Sequence, residues 1–164
     1  MRRIVCAICA LLVLCAGAGC GKKTEEVPAE FSFALTWGVF GISSYDSATG
    51  RLVKTSDEDI ETTYRLTEQE RQQVWEWICA LEPVSYPDEY DPNPDMGCDP
   101  SETLILTVRT TESEKTITAY DTAYAESSGD AKGDLFLKTC RAIQHLLTDS
   151  EAWQAMPDGE LLYA

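Results

Sequence analysis

The densest run of chemically capable side chains is Asp91-Pro-Asn-Pro-Asp-Met-Gly-Cys-Asp-Pro-Ser-Glu102. Asp91, Asn93, Asp95, Asp99 and Glu102 place oxygen at positions 1, 3, 5, 9 and 12 of this stretch. Oxygens at that spacing can wrap a hard cation such as calcium, with the final Glu binding through both carboxylate oxygens. Asp88 and Glu89 bring the total to six carboxylates in fifteen residues, and a divalent ion would relieve their mutual repulsion. Outside the cell even a site with a Kd on the order of 10⁻⁴–10⁻³ M is useful. The other reading is a stiff, solvated acidic loop, because Pro92, Pro94 and Pro100 fix the backbone whether or not an ion is present.

The oxygen spacing is that of an EF-hand loop, but the rest of that motif is absent. Met96 occupies the position that needs Gly for the sharp turn, and Gly97 comes one place late. A strand pattern, not a helix, follows Glu102. Calcium is therefore carried as an alternative to a bare loop and not as an EF-hand.

The remaining reactive groups are sparse. Cys79, Cys98 and Cys140 stand outside the N-terminal segment, an odd number. Cys79 and Cys140 fall on the two expected helices, so either a disulfide joins them or Cys140 is a small buried thiol on an apolar stripe. No C-x-x-C or Cys/His spacing suits zinc. His145, the single histidine, lies off the apolar stripe of its helix and is expected to face solvent. No G-x-S-x-G, S-x-x-K or phosphate-binding glycine motif is present. A carboxylate-dependent hydrolase would need two acids in a cleft that raises one pKa, and remains a remote alternative. The expectation is a protein without enzymatic activity. Trp75, Tyr86 and Tyr90 offer a second kind of chemistry, an aromatic surface for an envelope protein or a wall glycan. Trp75 and Trp77 cannot both face the core squarely, since residues two apart diverge on a helix.

Charge narrows the partners further. Asp plus Glu is 28 against 13 Lys plus Arg in 164 residues, a net charge of −15. Such a chain repels phosphate backbones, which argues against nucleic acid. It also repels an anionic bilayer, so a domain held at a membrane needs some other attachment.

That attachment is written at the N-terminus. Arg2 and Arg3 precede Ile4–Leu14, an apolar run of eleven residues that is too short for an ordinary spanning helix. Cys15-Ala-Gly-Ala-Gly-Cys20 follows, and the layout is that of an export signal. Gly17-Ala18-Gly19-Cys20 resembles the lipobox of bacterial lipoproteins, with small Gly19 before the cysteine and Gly17 where that family has Leu. The resemblance implies residues 1–19 as signal peptide and Cys20 as the mature N-terminus, its sulfur carrying diacylglycerol. It places the domain at the extracytoplasmic face of the cell envelope, anchored in the membrane through Cys20. Each buried methylene contributes roughly 0.8 kcal/mol, so two acyl chains hold where one barely does. The alternative is plain secretion after an A-x-A cleavage at Ala16 and Ala18. Residues 20–30 then read as lipidated cysteine and polar tether, the nine residues Gly21–Ala29 reaching roughly 30 Å if extended.

The elements that must position these groups fill 31–164 as one domain. Phe31–Trp37 alternates and reads as a strand continuing through Gly38–Ile42, with a bend at its glycines. Tyr45–Gly50 is a turn, and Arg51–Lys54 and Ile60–Leu66 are further strands. Thr67-Glu-Gln-Glu70 is a capping box that opens a helix to about Leu81, ended by Pro83. Thr103–Val108 and Lys115–Tyr120 form a hairpin. Asp134 is expected to cap a second helix carrying Phe136, Cys140, Ile143 and Leu147 on one face. A short turn near Trp153 follows. The expected fold is α+β, an antiparallel sheet of about five strands in the order β-β-β-α-β-β-α with both helices on one face. This organisation resembles small secreted bacterial domains of uncharacterised function. The whole reads as a lipid-anchored binding module, with a calcium-stabilised structural lipoprotein as the alternative.

Overall fold

A computed structural model describes residues 26–39, 42–55, 59–92, 100–120, 122 and 130–158. The fold is α+β, as the pattern predicts, but the sheet has seven strands. They are β1 (Ser32–Trp37), β2 (Ser43–Asp46), β3 (Arg51–Thr55), β4 (Asp59–Thr63), β5 (Glu89–Tyr90), β6 (Leu104–Arg109) and β7 (Glu114–Ala119). Their order is β4-β3-β2-β1-β6-β7-β5. Helices α1 (Glu68–Leu81), α2 (Ala131–Thr148) and the short α3 (Glu151–Gln154) complete it.

Two differences from expectation account for the added strands. The first strand does not run on through the glycines. It stops at Trp37, Gly38 turns with φ of 94°, and the chain returns at Ser43 as β2. Tyr45 and Asp46, expected in a turn, are therefore strand residues paired with Leu35 and Ala34. The turn itself is Ser47–Gly50, where Asp46 accepts the amides of Ala48 and Thr49. Gly50 is required there: its φ is 78°, and a Cβ would sit 2.8 Å from the Tyr64 carbonyl oxygen. The second addition is β5, two residues of the Pro-rich segment that pair parallel to β7, making the sheet mixed instead of antiparallel. Proline tolerates this place because β5 is an edge.

Alternation decides the faces. Phe33, Leu35 and Trp37 of β1, Leu104, Leu106 and Val108 of β6, and Ile117 and Ala119 of β7 are buried against the helices. The helices supply Val74, Ile78 and Leu81 from α1, and Phe136, Leu137, Cys140, Ile143 and Leu147 from α2. Each of these large side chains contributes roughly 1.5–3 kcal/mol by leaving water. The helices cross the strands. Glu70 of α1 meets Tyr64 beyond β4, Trp75 meets Phe31 ahead of β1, and Ile78 and Cys79 line a groove with Val108 and Lys115 of β6 and β7. α2 crosses in the other sense, from Tyr86 beside β5 toward α3, whose Trp153 packs on Trp37 and lies under the Lys54 ammonium.

The capping box at α1 forms as read. The Thr67 hydroxyl accepts the Glu70 amide at 3.2 Å, and a Glu70 oxygen accepts the Thr67 amide at 2.8 Å. The second cap is different: Asp130, not Asp134, accepts the amides of Lys132 and Gly133. α2 starts a turn earlier than its apolar stripe requires, leaving Asp134 in the first turn, where a carboxylate suits the helix dipole. Among the described residues no helix is long and apolar enough to cross a membrane.

Candidate functional site

The Pro-rich acidic segment leaves α1 at Glu82, which takes the left-handed conformation with φ of 52°. Pro83–Ser85 forms a single 3₁₀ turn, and Tyr86 then enters the core. Its side chain is 3% exposed, and its hydroxyl donates to the Lys132 carbonyl at 2.8 Å. The Lys132 ammonium lies 4.4 Å from the centre of the Tyr86 ring and donates to the Ser85 carbonyl. Tyr90 stands edge-on to Tyr86 at 5.3 Å, and both rings pack on Phe136 at 5.7 Å. Burial pushes the Tyr86 hydroxyl up to about 12, reinforced by Tyr90 and Asp130. Tyr90 is raised too, by burial first and then by the Asp130 carboxylate. Lys115 of β7 closes this end with an ion pair to Asp88.

The outgoing end is held by a different set. Glu102 is 8% exposed, and one of its carboxylate oxygens accepts from Arg141 Nη2 at 2.9 Å and from the Thr122 hydroxyl at 3.2 Å. The same Nη2 donates to the Thr122 carbonyl at 2.9 Å. Glu102 also bridges Val39, which ties the segment to the end of β1. The loop is thus clamped at both ends by α2, through Lys132 and Asp130 at its N-terminus and Arg141 about three turns later.

Asn93, Asp95 and Asp99 lie outside the described residues, as do Cys98 and Cys20. Of the expected ligands, Asp91 is exposed. Glu102 departs from expectation: its carboxylate is turned to Arg141 and Thr122, a charge partner and a hydroxyl that already satisfy one oxygen. Among the described residues no group of three or more His, Cys, Asp or Glu side chains is placed to hold a metal.

The aromatic residues do not make one surface. Tyr86 and Tyr90 pack around Phe136, whereas Trp75 packs edge-on against Phe31 at 4.8 Å. Trp75 borders a groove of about 180 Å³ with Ile78, Cys79, Val84, Val108 and Lys115. Its indole N–H is buried and has no hydrogen-bond partner among the described residues. Trp75 and Trp77 are both half-buried against the core, which resolves their divergence as two partial contacts. No disulfide joins Cys79 to Cys140. Cys140 is fully buried, and that burial pushes its thiol well above the usual range. His145 is exposed on the last turn of α2.

A third cluster fixes where the chain enters the domain. Val27 packs on the core, and the Phe31 amide donates to the Pro28 carbonyl at 3.0 Å. Arg71 Nη2 lies within hydrogen-bond distance of the carbonyls of Pro28 at 2.7 Å, Ala29 at 3.2 Å and Phe31 at 3.3 Å. Residues 27–30, expected in the tether, are held by the body. Six residues, 21–26, lie between Cys20 and this held segment, at most about 20 Å of fully extended chain.

Arg71, Lys132 and Arg141 are the positioning residues that pattern reading misses. One signal did exist: each is a cation on an amphipathic helix in a chain where acids outnumber bases two to one. It identifies no partner. No protein-family model matches the chain, and no curated protein matches it.

Proposed function

We propose that the protein is a lipid-anchored extracytoplasmic lipoprotein whose domain is a non-catalytic binding module, offering the 91–102 loop to an envelope protein or wall glycan. The observation that carries the reading is Gly17-Ala18-Gly19-Cys20 directly after Arg2, Arg3 and an eleven-residue apolar run. Diacylglycerol on Cys20 supplies the membrane attachment that an acidic domain cannot supply for itself.

The fold supports this reading through the direction of its ends. Ser32 pairs with Arg109, so the chain enters beside the Thr110–Ser113 hairpin. Leu104 pairs with Ala119, and Glu102 bridges Val39, at the opposite end of the strands. Six residues of strand separate the ends by about 20 Å. A spacer of about 20 Å on the entry side holds that side toward the bilayer and turns the acidic loop away from it. Clamping at both ends lowers the entropy lost when the loop engages a partner.

Metabolic labelling with palmitate, followed by mass spectrometry of the mature N-terminus, tests the anchor. The expected result is an acylated Cys20 and a membrane-fractionated protein, both lost in Cys20→Ser. An unacylated protein in the culture fluid, starting upstream of Cys20, would overturn the proposal. Calcium calorimetry on the same material separates the two lipoprotein readings. Binding heat together with a raised melting temperature would favour the calcium-stabilised structural role, and neither is expected for the partner-binding module.

A further inference from the structure

The groove of about 180 Å³ beside Trp75 has an apolar wall and an acidic rim. Trp75 and Ile78 of α1, Val84 of the 3₁₀ turn and Val108 of β6 make the wall, and Val84 is 75% exposed. The charged residues of the lining are Glu82 and Lys115. The Lys115 ammonium is already engaged by Asp88. Glu82 is exposed, and among the described residues its carboxylate takes part in no ion pair. The unanswered charge of the groove is therefore negative, in a chain whose net charge is −15.

The backbone adds to that charge. Helix α1 ends at this groove, with Ile78 and Cys79 in its last turn and Glu82 as its C-cap. A helix C-terminus carries about half a negative charge and favours a cation. The last turn of α1 nevertheless holds no basic side chain. Glu82 itself sits in the left-handed conformation, with φ of 52°. Glycine takes such a position without steric cost. A glutamate there carries backbone strain that glycine would not, and what it adds is a carboxylate at the rim.

We propose that this groove binds an arginine side chain of a protein partner. The aliphatic stem lies on the apolar wall, and the guanidinium meets Glu82 and the negative end of α1. A neutral apolar side chain would leave the carboxylate unanswered, and an acidic one would be repelled by it. A guanidinium is planar, so it binds a carboxylate through two N–H groups and packs on an indole such as Trp75. One side chain in one groove is a weak contact, and a free analogue of it should bind with a Kd on the order of 1 mM. The proposal stands on the groove and depends neither on the lipid anchor nor on the acidic loop.

The test titrates the full chain in detergent, at about 150 mM salt so that loose ionic attraction is screened, with N-acetylarginine amide and with its neutral isostere N-acetylcitrulline amide. The indole N–H resonances are followed by NMR, and Trp75→Phe identifies that of Trp75. The expected result is a saturable shift of the Trp75 resonance by the arginine amide, with the citrulline amide at least about threefold weaker. Glu82→Gln is expected to weaken the arginine amide by the same factor. Glu82→Gly should do so too while being no less stable to urea than the parent, because it removes the left-handed strain. If one Glu82 variant does not fold, the other decides. The proposal is overturned by no saturable shift at Trp75, by equal shifts at Trp37, Trp77 and Trp153, by citrulline amide binding as tightly, or by a folded Glu82 variant that binds the arginine amide as before.

Discussion

Arg141→Met isolates the clamp on the outgoing end of the loop. Methionine keeps the aliphatic stem and removes the guanidinium, so Glu102 loses its 2.9 Å charge partner and the Thr122 carbonyl loses a donor. Stripping one partner from a fully buried ion pair costs about 3–5 kcal/mol. The Arg141 side chain is 31% exposed, so water reaches this pair, and the expected cost is nearer about 2 kcal/mol. For a domain of this size that is a fall in Tm of about 8 °C. Glu102→Gln removes the same charge attraction from the other side and keeps an acceptor for Thr122. The two changes together should therefore cost less than the sum of each alone, with a coupling of about 1–2 kcal/mol. Urea unfolding of the four chains in detergent, read by tryptophan fluorescence, measures it. Trp37, Trp75, Trp77 and Trp153 all pack in or against the core and report on it. An Arg141→Met change within about 0.5 kcal/mol of the parent, or strictly additive single changes, would refute the reasoning.

Three other outcomes are expected. Ile143→Ala empties a site with no exposed surface and should cost about 2–5 kcal/mol in urea unfolding, whereas Ala34→Ser on the helix-free face should stay within about 0.5 kcal/mol. The Glu70 carboxyl is raised by burial, but hydrogen bonds from the Thr67 amide and from the Tyr64 and Thr67 hydroxyls outweigh this and leave it lowered. A lowered carboxyl stabilises the fold above its unfolded pKa of about 4.3 and loses that contribution as pH falls through the folded value, so urea midpoints below about pH 5 should drop less steeply in Glu70→Gln than in the parent. Cys140, buried and with its thiol pushed up, should resist iodoacetamide in the folded protein and react once urea unfolds it, read by peptide mass spectrometry.

Several features were readable because their causes lie within a few residues. The alternation of Phe31–Trp37 and Leu104–Val108 makes strands wherever those residues sit. Thr67 and Glu70 satisfy each other's amides across three positions. Gly38 shows where this kind of reading stops. A glycine in a strand pattern signals a bend or an end equally well, and only the return of Ser43–Asp46 against β1 decides for the end. Asp130 and Asp134 are likewise both competent caps, and the packing of Tyr86 and Tyr90 against the start of α2 selects the first.

The amino-acid order by itself determined the α+β class, the two long helices with their buried stripes, and the acidity that disfavours nucleic acid. These depend on local periodicity and on composition, which survive in any arrangement of the elements. Tertiary structure alone decided which polar groups meet: Arg141 with Glu102 across 39 positions, Lys115 with Asp88 across 27, Arg71 with the Pro28 carbonyl across 43. It also decided that Glu102 faces an arginine. The reason is that a carboxylate has no sequence period. Its partner is whichever cation the packed helices bring within about 4 Å, and that distance exists only after the core has formed.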